Sequence, residues 1–395
     1  MKVAFVYDAV YPWVKGGAEV RIHELGRRLS LQGHDVHLFG IKWWEGEDVL
    51  QYEGMTLHGV CKARDLYVNG KRSISEALIF SLKLFPVLVR EKFDLIDVSV
   101  FPYFSCFTVK AVSVLKSTPA VFTWHEVWGD YWYEYLGKRK GFFGLAIEAA
   151  VAKISKNDIA VSEWTKNRLE SVLGTKREIA VLPNGVDQKL ISGIKPAGQD
   201  CSEKQKGKIY DIIFAGRLIK EKNVDVLIKT VSLLKKDNPE VCCCIAGDGP
   251  ERKALEKFTL EIGMQKNVEF AGFQEYRALI GKIKASKVLV LPSSREGFGM
   301  VVIEAFACGV PVVTVKEKYN AAQGLIADGI DGFVVGLDER EIAKAIDKII
   351  KEHQEGIKYS EAILNKAKKY DWDEIVKNVL IAYRGFIKLR AATPP

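Results

Sequence analysis

The stretch SREGFGMVVIEAFACGVPVV, residues 294–313, decides how this chain is read. It comes after the strand-like run VLVLP (288–292), opens an apolar helix with Gly297 and Gly299 around Phe298, and closes on the strand-like PVV (311–313). Strand, glycine-rich turn, helix and strand together make the repeating unit of a parallel α/β sheet. Two carboxylates, Glu296 in the turn and Glu304 in the helix, stand eight positions apart. A buried carboxylate without a partner is costly, so each needs a protein cation or a ligand.

Outward from this stretch the same alternation covers the chain. In the first half, strands are expected at 2–7, 35–39, 94–98, 120–124, 158–161 and 178–182, with helices at 17–32, 105–116 and 163–173. Pro183–Asn184–Gly185 forms a closing turn, and residues 188–208 lose periodicity and gain Gly, Lys and polar residues, as a linker does. A second series runs through IYDIIFAG, VCCCIAG, VEFAG, VLVLP, PVVTV and FVV, before a final helix at 373–390. The expected organisation is a first Rossmann-like domain over 1–187, a linker over 188–208 and a second such domain over 209–372. The helical segment 373–395 then packs back toward the first domain. Two doubly wound halves imply a deep cleft between them, with chemistry on the loops at the ends of strands.

The bulk numbers agree with a globular chain of two domains: 395 residues, 48% hydrophobic and 27% charged. Lys2 leads straight into VAFVY without the order of a secretory signal. The weakly charged run 98–115 is broken by Pro102 and Lys110 and is short for a membrane span. A cytoplasmic protein is expected. Of the seven cysteines, Cys242, Cys243 and Cys244 are consecutive on a strand, so their side chains alternate faces and cannot gather round one zinc ion. The net charge of +8 points to an anionic partner, either nucleotide, nucleic acid or an anionic membrane surface.

Three constellations carry chemistry. Lys15–Gly16–Gly17–Ala18–Glu19 opens a helix after the first strand, where backbone N–H groups hold an anion or the glycines simply serve the turn. Arg217 and Lys222 come after a strand, as a phosphate-binding fork and point charge or as a solvated face. Glu296 and Glu304 either accept hydrogen bonds from vicinal hydroxyls of a sugar and a ribose, or are a Glu–Lys pair and a helix-start acid. A glycosidase would use two carboxylates without anion loops. A nucleic-acid binder would favour basic, aromatic-interleaved stretches over acids in a cleft, so no nucleic-acid partner is expected.

EGFGMVVIE followed by AFACGVPVV resembles the E-x7-E motif of the retaining glycosyltransferases of family four, which have the GT-B fold. The resemblance extends to GRLIKEKNVDVLI, AGDGPERKAL, VEFAGF, LPNGVD and KGGAEV, and so spans nearly the whole chain. It implies that Glu304 holds a nucleotide ribose and Glu296 the donor sugar, beside the backbone amides of Gly297, Phe298 and Gly299. It also implies that Arg217 and Lys222 neutralise the diphosphate and that Gly16 and Gly17 close over it. His125, in VFTWHE, matches the family's histidine near the reacting sugar, while Asn184 and Gly185 match a structural turn.

Two departures stand out. Residues 319–324 (YNAAQG) replace the G-G-x-P-E loop of many relatives. Asp371–Trp372–Asp373 spells the D-x-D of a different glycosyltransferase fold, but Asp373 sits where it would cap the last helix. The implied activity is retaining, metal-independent hexosyl transfer from a nucleotide sugar, GDP-mannose or a UDP-hexose, with no cofactor. A glycan or lipid-linked acceptor in cell-surface glycan synthesis is expected. The aromatic run from Trp124 to Tyr135 and the basic–aromatic turn 137–143 either stack sugars and rest on an anionic bilayer, or form a core stripe and a solvated turn. The competing readings are a GT-B nucleotide-sugar epimerase, which turns over without acceptor, and a non-enzymatic nucleotide-sugar-binding protein.

Overall fold

The computed structural model describes residues 1–64, 67–68, 71–198, 210–355 and 360–392. The chain divides into two compact units, Met1–Asn184 with Trp372–Pro395, and Gly185–Asp371.

The first unit contains β1 (Lys2–Val6), β2 (Asp35–Lys42), β3 (Val49–Tyr52), β4 (Met55–Lys62), the short hairpin β5 (Tyr67–Val68) and β6 (Lys71–Arg72), β7 (Leu95–Ser99), β8 (Ala120–Trp124), β9 (Asp158–Ala160) and β10 (Ile179–Val181). Its helices are α1 (Gly17–Leu31), α2 (Ile74–Leu88), α3 (Phe104–Lys116), α4 (Tyr131–Ile154) and α5 (Glu163–Leu173). Eight strands form one sheet in the order β10-β9-β8-β7-β1-β2-β4-β3, parallel except for the β3–β4 pair. Every residue of β7 and β8 is buried, because helices cover both faces of a parallel sheet and leave no polar side to alternate. The β3–β4 hairpin escapes sequence reading. Its two-residue turn, Glu53–Gly54, takes positive φ at both positions (48° and 82°), with a glutamate where Asn or Asp would signal such a turn.

The second unit contains β11 (Tyr210–Ala215), β12 (Cys243–Ala246), β13 (Val268–Gly272), β14 (Ser286–Leu291), β15 (Arg295–Glu296), β16 (Val312–Val315), β17 (Tyr319–Asn320) and β18 (Gly332–Val335). Its helices are α6 (Gln188–Ser192), α7 (Val224–Leu234), α8 (Arg252–Glu261), α9 (Tyr276–Lys284), α10 (Met300–Ala307), α11 (Glu339–Gln354) and α12 (Ser360–Ala367). The main sheet is wholly parallel, in the order β13-β12-β11-β14-β16-β18. α11 shows how such a helix is specified. Asp338 caps it by accepting from the amides of Arg340 (2.9 Å) and Glu341 (3.1 Å), and Ile342, Ile346, Ile349 and Ile350 bury one stripe.

Part of the stretch expected as a linker is therefore structured: α6 is tied to the end of α9, where Lys284 Nζ donates to the carbonyls of Ile191 and Ile194, both at 2.7 Å. The rest of that stretch, from residue 199 to 208, lies outside the described residues. The last helix, α13 (Trp372–Ala392), belongs to the first unit. Its Tyr383 hydroxyl donates to buried Asp97 on β7. Asp373 lies inside its first turn and accepts from Arg28 Nε at 3.1 Å, so it is an ion-pair partner of α1 and not the cap expected.

In each main sheet the strand order reverses beside the first strand, between β1 and β7 and between β11 and β14. Crossovers then leave in opposite directions and open a crevice at the carboxyl ends. Most of the expected site residues fall on the loops and helix starts beside these two points, with Glu304 within α10 and His125 just after β8.

Candidate functional site

The second unit's switch point is built by two loops sewn together. After β11 come Gly216, Arg217 and Leu218, then a single 3-10 turn, Lys220–Lys222, and Asn223 in the left-handed region (φ 48°) at the start of α7. After β14 comes the loop to Glu296. Asn223 Nδ2 donates to Pro292 O (2.9 Å), the Ser294 amide donates to Glu221 O (2.9 Å), and Lys222 Nζ ion-pairs with the Glu296 carboxylate. The AGDG segment after β12 closes the other side. Leu218 N donates to Asp248 O (2.9 Å), and a Cβ on Gly249 would lie 2.3 Å from Leu218 O. Glycine is required there because two backbones approach within contact.

The opening of α10 is equally constrained. Gly299 has φ 97°, and a Cβ on it would meet the Ala322 methyl at 2.7 Å. Glu296 pairs in register with Asn320 where β15 meets β17. The departing segment 319–324 thus lies against the glycine-rich turn: Asn320 Nδ2 donates to Val315 O (2.8 Å), and its Oδ1 accepts from Ala322 N (3.0 Å). Phe298 turns its side chain into the core, edge-on to Tyr370 at 6.3 Å. What Gly297, Phe298 and Gly299 offer a ligand is their main chain.

Glu304 is different. It is half-buried on α10, and among the described residues no cation pairs with it; burial alone lifts its carboxyl from 4.5 to about 7. The two glutamates of the opening stretch therefore have different solutions. Glu296 has its protein cation, and Glu304 keeps its demand for hydrogen-bond donors. Lys222 is accordingly engaged by a carboxylate and does not stand open toward a phosphate. Arg217 is exposed at the rim of the same loop.

At the first unit's switch point the groups are more deeply sunk. Asp8 lies just beyond β1, is 1% exposed, and pairs through Oδ2 with Arg72 Nη2 at 2.5 Å, while its Oδ1 has no partner among the described residues. Burial outweighs the arginine and raises the Asp8 carboxyl above its usual range. Gly16 is the N-cap of α1 and Gly17 its first residue. A Cβ on Gly16 would lie 2.5 Å from Glu19 Oε2, so the missing side chain makes room for the glutamate to fold back. Burial, with Asp8 nearby, raises Glu19 to about 7. His125 Nε2 hydrogen-bonds Ser99 Oγ (3.1 Å), and burial together with Arg21 pushes the imidazole down to about 3, so it is neutral.

Within each unit, then, the predicted residues gather: Arg217, Lys222, Glu296, Gly297, Phe298, Gly299 and Glu304 in the second, Gly16, Gly17 and His125 in the first. Sequence reasoning assigned no role to Asp8, Glu19, Arg72 or Ser99. Asp8 directly after a buried strand and Glu19 three residues after a glycine cap were the available signals; Arg72 and Ser99 had none. Asn184 is structural, buried and accepting from Arg21 Nη1 at 3.1 Å. The aromatic run is mostly core. Trp124, Trp128, Tyr131 and Trp132 are buried, whereas Tyr133, Phe142 and Phe143 are exposed.

Comparison with known proteins bears on this geometry. A family model described as Glycosyl transferases group 1 matches residues 200–370, and one described as Glycosyltransferase Family 4 matches residues 15–190. An uncharacterized glycosyltransferase of Methanocaldococcus jannaschii is 25% identical over 97% of this chain and 98% of its own. A GDP-mannose-dependent monoacylated alpha-(1-6)-phosphatidylinositol monomannoside mannosyltransferase of Corynebacterium glutamicum is 29% identical over 43% of this chain and 48% of its own, so this match spans about half of each. The sucrose-phosphate synthase of Thermosynechococcus elongatus superposes with a TM-score of 0.83 at 20% identity, covering 99% of this chain and 100% of that one. Two Rossmann-like units with these loops define a GT-B protein. The chain belongs to the group 1, family-four glycosyltransferases, and is a glycosyltransferase.

Proposed function

We propose that the protein is a retaining, metal-independent hexosyltransferase. It takes a hexosyl group from GDP-mannose or a UDP-hexose and passes it to a glycan or lipid-linked acceptor in cell-surface glycan synthesis, at the cytoplasmic face of a membrane. The observation that carries this reading is Glu304, half-buried on α10 and, among the described residues, without a paired cation. Two vicinal ribose hydroxyls donate two hydrogen bonds, which is what such a carboxylate lacks. A relative named as a GDP-mannose-dependent mannosyltransferase supports the donor class.

In this reading the bond from the anomeric carbon to the diphosphate breaks as the acceptor oxygen forms its bond on the same face. The acceptor proton passes to the leaving phosphate. Arg217, Lys222 and the amides at the opening of α10 stabilise the charge that develops there. Donor phosphate then competes with Glu296 for Lys222, which releases Glu296 toward the sugar. His125 is neutral and its Nε2 is already bonded to Ser99, so it positions the reacting sugar and carries no charge. Trapping a glycosyl adduct on Glu296 or His125 would overturn same-face attack.

The test is nucleotide release from a panel of UDP-, GDP- and ADP-sugars with chelator present, with and without a membrane-lipid extract. Release from one donor only when extract is added is the expected result. Release without acceptor would indicate a hydrolase, interconversion of the nucleotide sugar without release an epimerase, and binding without turnover a sensor.

A further inference from the structure

α2 and α3 lie side by side, joined where Ser81 Oγ donates to Phe104 O (2.8 Å) and Thr108 Oγ1 donates to Ser81 O (2.9 Å). α2 turns Ala77, Phe80, Leu84 and Leu88 inward, as a surface helix should. It also carries a second apolar stripe outward: Ile74, Leu78, Leu82 and Phe85, which are 56%, 41%, 75% and 40% exposed. Their spacing of four, four and three keeps them on one side of the helix. α3 repeats the arrangement with Phe107, Ala111, Val114 and Leu115, all exposed. Leu82 and Phe107 each adjoin a residue of the Ser81–Thr108 contact, so the stripes are neighbours. Folded domains rarely leave contiguous apolar surface of this kind without a partner.

The charge around it is predominantly positive. α2 and α3 contain a single acid, Glu76, which is 3% exposed and accepts from Arg64 N at 3.0 Å. Lys83 and Arg90 are exposed beside the α2 stripe. The start of α2 borders a turn of α4, since Tyr135 Oη accepts from Arg72 N at 3.0 Å. There Gly137 (φ 78°) breaks the helix, and Lys138, Arg139 and Lys140 lead to exposed Phe142 and Phe143, with Glu134 the exposed acid on the turn before. Among the described residues no helix is long and apolar enough to cross a membrane.

We propose that this face of α2, α3 and the 137–143 turn docks in the plane of a bilayer rich in anionic lipid. The apolar stripes enter the headgroup boundary and the lysines and arginines meet lipid phosphates. The proposal rests on the reading of a lipid-linked acceptor and deepens it. A second copy of the chain is the poorer occupant. A two-fold interface sets a patch against itself, and here that would bring like charges together.

The test is co-sedimentation of the full chain with vesicles of phosphatidylglycerol and phosphatidylcholine, against vesicles of phosphatidylcholine alone. Binding to the anionic vesicles, weakened by salt, is expected. Leu78→Glu/Leu82→Glu should lower partitioning about tenfold or more, and Lys138→Gln/Arg139→Gln/Lys140→Gln about tenfold. The second variant changes only exposed side chains and serves if the first does not fold. Equal binding by wild type and both variants, or no binding to either vesicle, overturns the proposal. So does a dimer in sedimentation velocity that Leu78→Glu/Leu82→Glu splits. Nucleotide release with detergent-dispersed extract separates the two ideas: retained release with lost vesicle binding supports docking, and vesicle binding with no release under any condition sinks the transferase reading alone.

Discussion

The two switch points share a topology and differ in chemistry. Between β1 and β7, burial drives the groups toward neutrality: His125 to about 3, Glu19 to about 7, and Asp8 upward despite Arg72. Between β11 and β14 the loops keep their charge near the surface, with Arg217 exposed and Lys222 paired to Glu296, and only Glu304 is forced upward. On the proposed function, the first region would meet uncharged sugar hydroxyls and the second a diphosphate. The loop after each leading strand accounts for the difference. In the first unit the segment beyond β1 meets β6 and the start of α1, whereas in the second the loop beyond β11 leaves Arg217 and Lys220 exposed and directs Lys222 onto Glu296.

Glu304 offers the strongest way to break this comparison. Its carboxyl is unfavourable in the fold only when ionised, so the penalty is absent below pH 4.5, grows through about 7, and reaches about 3 kcal/mol above that. Glu304→Gln should therefore raise the melting temperature of the ligand-free protein at pH 8 and leave it unchanged at pH 4. Equal melting temperatures at pH 8 would show that the group is not desolvated. If ribose hydroxyls satisfy the ionised form, nucleotide binding should release a proton near pH 6. Titration calorimetry in two buffers reads this, and Glu304→Gln should abolish it.

Next in size are Arg217→Ala and Glu304→Ala. Each removes a charge-assisted hydrogen bond worth roughly 1.5–3 kcal/mol, and kcat/KM should fall roughly 10- to 100-fold. Wild-type kinetics in either variant would break its assignment. His125 tests the first unit. Because its folded value lies below the ordinary 6.5, the unfolded chain takes up the proton first, and stability falls as pH drops from 6.5 toward 3. The loss at pH 5 is about 2 kcal/mol. His125→Gln should remove that part of the acid sensitivity in a urea titration. The smallest effect belongs to a helix cap: Ser162 accepts from Thr165 N at 3.0 Å, and Ser162→Ala should cost about 1 kcal/mol with activity unchanged.

Much of this was legible from the chain alone. Largely apolar runs such as IYDIIFAG and VFTW announce strands covered on both faces, and β8 and α5 have the expected limits. The hairpin at Glu53–Gly54 was not legible, because its turn uses a residue that does not advertise positive φ. The E-x7-E spacing marked two acids as special but left open whether a ligand or a lysine answers each, and only the family resemblance implied a ligand for both. Lys222 is 74 residues before Glu296, and only the pairing of β11 with β14 brings them into contact. The aromatic run from Trp124 to Tyr135 looked equally fit for sugar stacking or core, and packing made most of it core.

By itself the sequence determined the alternating α/β architecture, the two units, the glycine-opened helices and the family. Those are local matters of periodicity, turn chemistry and spacing, each written within a few residues. Only the tertiary structure decided which acids are satisfied: Lys222 reaches Glu296, and among the described residues nothing cationic reaches Glu304. It alone also left the outer faces of α2 and α3 uncovered. Burial and partnership depend on what distant segments bring to a site, and a helical stripe reads the same whether a neighbour covers it or a membrane does.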